Sequence, residues 1–217
     1  MTIEEIDNLR SKLQASCDLL ISSIGPIQIG KESQFPYGWR KAAKGRTVWR
    51  IVEEVITQNL EKYHSKFEID NVIPSESEVS VYDMICKFGE EAVFINIKSA
   101  VEGGKRQKDD ISKALGLLDF YNEDAERQFF VATFYIRFNK NMTIELTKSV
   151  VFPVAWIPDI YVNPSNNGNL QSAYYKDVKD AAKRTNEEFI PLLKEAYKVA
   201  LGKKDKNDLG TSSNGLP

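Results

Sequence analysis

The chain has 217 residues, of which 42% are hydrophobic and 28% charged, and a formal net charge of −2. This is the balance of an ordinary folded domain, and it excludes a disordered, fibrous or strongly basic chain. No apolar run is long enough to cross a bilayer, and Met1 to Leu20 mixes acids into an amphipathic pattern unlike a secretory signal, so a cytoplasmic protein is expected.

From Thr2 to Ile24 the apolar residues Ile3, Ile6, Leu9, Leu13, Leu20 and Ile24 recur at helical intervals, and Gly25-Pro26 ends the run. A loop from Gly30 to Gly45 leads into a second helical stripe, Val48, Ile51, Val52, Val55, Ile56 and Leu60, with Glu53 and Glu54 inside it. The stretch Lys31 to Arg50 sets Lys31, Arg40, Lys41, Lys44, Arg46 and Arg50 against the single acid Glu32, beside Trp39 and Trp49. Clustered bases of this kind can track a phosphate backbone.

After Tyr63 the period changes. Glu78 to Phe88 alternates as a strand, with Val79, Val81, Asp83 and Ile85 on one face and Ser80, Tyr82, Met84 and Cys86 on the other. Gly89-Glu90-Glu91 turns the chain into a second strand, Ala92 to Ala100, and so short a turn requires antiparallel neighbours. A polar loop, Glu102 to Gln107, precedes a helix expected over Asp109 to Tyr121 with Asp110 as its N-cap. Gln128 to Phe138 is an almost continuously apolar strand, as burial on both faces demands. Met142 to Trp156 adds another strand, Asn163 to Ser172 reads as an amide-rich loop, and Tyr174 to Leu201 reads as a helix or helix pair broken near Pro191.

These elements predict an α/β fold with a mixed central β-sheet flanked by helices. One domain spans 1–201, and the polar tail 202–217 is expected to be disordered. Cys17 and Cys86, far apart and flanked by apolar residues, are expected to be buried free thiols. His64 is the single histidine and is expected at the surface, which removes zinc sites and serine triads from consideration. Gly103-Gly104 lacks the following Lys-Ser/Thr of a phosphate-binding loop.

One group carries chemistry. Asp83 is a carboxylate on a strand of apolar neighbours, where an unpartnered charge is costly. Asn96 offers an amide oxygen on the paired strand, and the period of two places Lys98 on the same face as Asn96. Hard divalent cations take such oxygen ligands, and Lys98 can orient a water or neutralise charge developing on phosphorus.

Asp83 followed by Asn96-Ile97-Lys98 resembles the PD-(D/E)xK nuclease motif, and the element order from Gly30 to Lys198 is similar to type II restriction endonucleases. Tyr82 stands in place of the motif's proline and Asn96 in place of its second acid. The resemblance implies the restriction endonuclease-like fold and Mg2+-dependent hydrolysis of double-stranded DNA at a short specific site. It also implies a homodimer, and a cognate DNA methyltransferase encoded nearby. It assigns Asp83 and Asn96 to the metal, Lys98 to the attacking water, and Glu54 to the helix glutamate that faces the metal. For DNA contact the sequence offers Lys105, Arg106, Gln107 and Lys108 after the motif strand, Arg40 and Lys44 before it, and Asn166, Asn167, Asn169 and Gln171 for bases. The rival expectations are a nuclease-fold protein that binds DNA without cutting it, and an unspecific repair or phage nuclease.

Overall fold

A computed structural model describes residues 1–40, 44–77, 80–165 and 168–211. Helix α1, Ile3–Ile24, opens with a reciprocal capping box between Thr2 and Glu5 and ends at Gly25, whose φ of 65° suits a residue without Cβ. Helix α2, Gly45–Tyr63, buries Val48, Val52, Ile56 and Leu60, one stripe at four-residue spacing.

The remaining elements are β1 (Ile27–Gln28), β2 (Asn71–Pro74), β3 (Met84–Phe88), β4 (Glu91–Val101), β5 (Asp109–Lys113), α3 (Ala114–Glu123), β6 (Gln128–Phe138), β7 (Thr143–Pro153), β8 (Tyr161–Asn163), β9 (Asn169–Ser172) and α4 (Asn186–Thr211). Six strands form the main sheet in the order β1-β7-β6-β4-β3-β2, and β5-β9-β8 form a second, smaller one. The β4–β6 pair is parallel and every other pair is antiparallel, so the sheet is mixed. Parallel neighbours need a crossover, here supplied by β5 and α3.

Strand parity assigns the layers. Gly45 of α2 lies against Val101, and Phe120 of α3 packs edge-on against Phe94, with ring centroids 4.9 Å apart. Val101 and Phe94 differ in parity along β4, so α2 and α3 cover opposite faces. On the α2 side, Gln14 of α1 bonds Ser149 Oγ at 2.7 Å and accepts from the Val151 amide at 2.8 Å. On the α3 side, Tyr121 meets Phe189 of α4. Residues Gln128 to Phe134 of β6 are all buried between the two layers.

Several expected elements move. Asp109–Lys113 is a strand paired with β9, and α3 begins only at Ala114, with Lys113 and not Asp110 at the N-cap position. Ile111 is buried either way, so local periodicity does not separate the two conformations; the free edge of β9 does. The expected loop Asn163 to Ser172 contains all of β9 and the last residue of β8.

The strand expected over 78–88 is regular only from Met84; residues 78 and 79 lie outside the described ones. Tyr82 leaves the face of Met84 to pack against Phe94 and Phe120, with centroids 5.0 and 6.3 Å away. Tyr174 to Thr185 is largely irregular and pinned to Trp156, whose indole N–H donates to the Arg184 carbonyl at 3.0 Å. Helix α4 keeps Pro191 on its exposed side without breaking, and it continues past Leu201 to Thr211. His64 is half-buried, its Nδ1 3.0 Å from the Ile69 carbonyl oxygen. Cys17 and Cys86 are buried free thiols, as their surroundings in sequence indicate. Among the described residues no helix is long and apolar enough to cross a membrane.

Candidate active site

Strand β3 begins at Met84, opposite Ile95, whereas β4 runs on to Val101. Beyond Ile95, β4 therefore has no strand partner on that side, and the sheet carries a notch there. Asp83 fills its first step: its amide donates to the Ile95 carbonyl at 2.8 Å, and its Oδ2 accepts from the Ile97 amide at 2.6 Å. A carboxylate thus takes the place of a missing strand, leaving Oδ1 for another partner.

A recess of about 250 Å3 opens at this notch, walled by Arg50, Glu53, Glu54 and Thr57 of α2 and by Ser75, Ser77, Ser80, Tyr82 and Asp83. Partial burial pushes the Glu53 carboxyl up to about 7, and the negative charge of Asp83 adds to this, against the pull of Lys98 and Arg50. Crowding by protein also raises Asp83, although it keeps contact with solvent; the Ile97 amide, Lys98 and Arg50 oppose the rise. Two carboxylates and one lysine therefore act on each other across the notch.

Asn96 is 9% exposed and donates from Nδ2 to the Val81 carbonyl at 3.2 Å. Its Oδ1 is buried without a hydrogen-bond partner among the described residues. Such an atom is costly unless a ligand or ion completes it. Asp83 and Glu53 are hard-oxygen donors suited in chemistry to Mg2+, whereas Asn96 shares the parity of Phe94 and does not line the recess. Among the described residues no cluster of three or more His, Cys, Asp or Glu side chains is set to hold a metal, and this pair has two acids.

The structure thus couples Asp83 with Lys98, and it sets Glu53 beside Glu54 in the wall of the recess. Glu54 is exposed at the rim and accepts a hydrogen bond from Gln58 at 2.6 Å. At about 100° per residue, Glu54 points roughly 180° from the centre of the buried stripe of α2, and Glu53 only roughly 80° from it. That signal was present in the spacing.

The basic residues after β4 do come near the site. Lys105, Arg106 and Gln107 line a second recess of about 460 Å3 together with Arg46 of α2, Ser99 of β4, Lys148 of β7 and Lys176. Arg106 is ion-paired with Asp180 and lies over the Tyr174 ring, while Lys108 lies 4.2 Å from the Tyr161 ring centroid. Asn169 and Gln171 belong to β9 and not to a loop, and Gln171 is held by Asp110 Oδ1 at 2.6 Å. Asn166 and Asn167 lie outside the described residues. Arg40, with φ of 44°, stacks on Tyr37 at 4.1 Å, and exposed Lys44 precedes α2; neither lines a recess at the site.

Arg46 and Arg50 belong to the basic stretch legible in the sequence, whereas nothing in the sequence points Lys148 and Lys176 to the site beyond the placing of Lys148 as a charge within an otherwise β-prone run. No protein-family model matches this chain, and no curated protein matches its sequence.

Proposed function

We propose that this chain is a Mg2+-dependent endonuclease of double-stranded DNA, a type II restriction enzyme of the PD-(D/E)xK nuclease fold. The observation that carries the reading is the convergence of Asp83, Glu53 and Lys98 at the notch where β4 outruns β3. Hydrolysis of a phosphodiester needs oxygen ligands for a cation and a cationic group for the developing phosphate charge, and both meet here. Asp83 and Glu53 would hold the cation. When bound, it would polarise the phosphate and acidify a water.

The chain's own groups have separate tasks. Asp83 is oriented by the Ile97 amide, so its free oxygen is presented in one direction. The Lys98 ammonium would donate to a phosphate oxygen or to the attacking water. Arg50, which acts on both carboxylates, supplies a second positive group at the recess wall. The basic recess beside Ser99 offers phosphate contacts on the same strand. Cleavage of both strands of a palindromic site calls for a homodimer, and a methyltransferase encoded nearby would protect host DNA.

The test is incubation of purified protein, and of its Lys98→Ala variant, with mixed plasmid and phage DNA and magnesium. Discrete fragments from the wild type and none from the variant are expected. Smeared products would replace site-specific cleavage with an unspecific nuclease. Intact DNA with retained binding would refute the enzyme and leave a DNA-binding protein.

A further inference from the structure

The recess at the C-terminal end of β4 has a charge pattern of its own. Five cationic side chains line it against the two acids Asp109 and Asp177. Two of these cations are engaged, Lys176 with Asp109 and Arg106 with Asp180. The other three, Arg46, Lys105 and Lys148, have no ion pair within 4.0 Å among the described residues. Lys148 is instead held 4.2 Å above the Tyr135 ring centroid, which positions its ammonium without neutralising it.

These three charges come from α2, from the loop after β4 and from β7, so the fold and not local sequence gathers them. Like charges gathered in one concavity repel one another, and a bound anion removes that cost. The field is reinforced by the first turn of α2, which also lines the recess and has no side-chain cap.

We propose that this recess is a phosphate-binding subsite in which Arg46, Lys105 and Lys148 face the ligand. Its chemistry suits a phosphate ester or a polyphosphate: several separate cationic donors around an open space of about 460 Å3. Arg46 in its wall lies one turn of α2 before Arg50, which lines the notch, so the two recesses are neighbours along one helix and within reach of one polynucleotide backbone. Its role as the grip on a phosphate next to the scissile one rests on the nuclease reading; its affinity for phosphate does not.

Calorimetric titration of the full chain with inorganic pyrophosphate, in magnesium-free buffer, tests the subsite. Wild type and Asp83→Asn should bind alike. The double variant Arg46→Glu/Lys148→Glu should lose at least about tenfold in affinity, and Lys105→Ala a smaller factor, with melting temperatures unchanged. Competition by a DNA duplex assigns the subsite to a polynucleotide backbone, and binding without such competition assigns it to a free phosphate compound; both uphold it. Wild-type affinity in the double variant overturns the proposal, as does loss of binding in Asp83→Asn alone, which would put the anion in the notch. If pyrophosphate binds while DNA stays uncut in magnesium, the nuclease reading fails and the subsite stands.

Discussion

Replacing Glu53 with Gln should stabilise the metal-free protein, by an amount that grows from pH 4.5 and is complete above about 7. The Glu53 carboxyl ionises near its ordinary value of 4.5 in the unfolded chain but at about 7 in the fold, where burial and Asp83 disfavour its charge. A group whose folded pKa is raised contributes stability that is fully present below the unfolded value and is lost as pH rises through the folded one. For Glu53 the loss therefore occurs between pH 4.5 and about 7. At about 1.36 kcal/mol per pH unit the upper bound is about 3 kcal/mol, and solvent screening at a half-buried site reduces it to about 2 kcal/mol. Gln keeps the shape without the charge. At pH 8 in EDTA the variant should melt about 5 °C above wild type, and near pH 4.5 the two should coincide. Magnesium at pH 8 should then raise the wild type more than the variant, since it binds the carboxylate that Gln lacks. A difference that is constant in pH, or a variant less stable at pH 8, would refute the coupling of Glu53 to Asp83.

Cleavage should separate the two helix glutamates: Glu53→Gln and Asp83→Asn should each lower the cleavage rate by at least about 100-fold, whereas Glu54→Gln should stay within about twofold of wild type in a plasmid-nicking assay. Gln14→Ala removes the acceptor of the Val151 amide and the donor to Ser149, and urea unfolding should show a loss of about 1–3 kcal/mol. Burial raises the Cys17 thiol and pushes Cys86 up to about 12, so neither should react with an aromatic disulfide reagent at pH 8 until guanidinium unfolds the chain. Rapid labelling of native protein would refute the burial of both thiols in the core.

Much of the main sheet was legible because its signals are local. The continuous apolar run of β6 demands burial on both faces, and the stripe Val48, Val52, Ile56, Leu60 demands a helix against a core. The turn at Gly89, with φ of 64°, pairs β3 with β4 and so carries Asp83 to the strand of Asn96 and Lys98. The deeper setting of Glu53 than of Glu54 is likewise present in the helical angle from the buried stripe. What periodicity does not hold is the pairing of distant segments. Asp109–Lys113 is a strand because β9, some sixty residues on, offers it an edge, and Tyr82 breaks its strand's alternation because the rings of Phe94 and Phe120 attract it. The meeting of Arg46, Lys105 and Lys148 has the same origin. Local spacing determines which face of an element is apolar, whereas the contacts that gather charges from three separate elements exist only once those faces have been buried against one another.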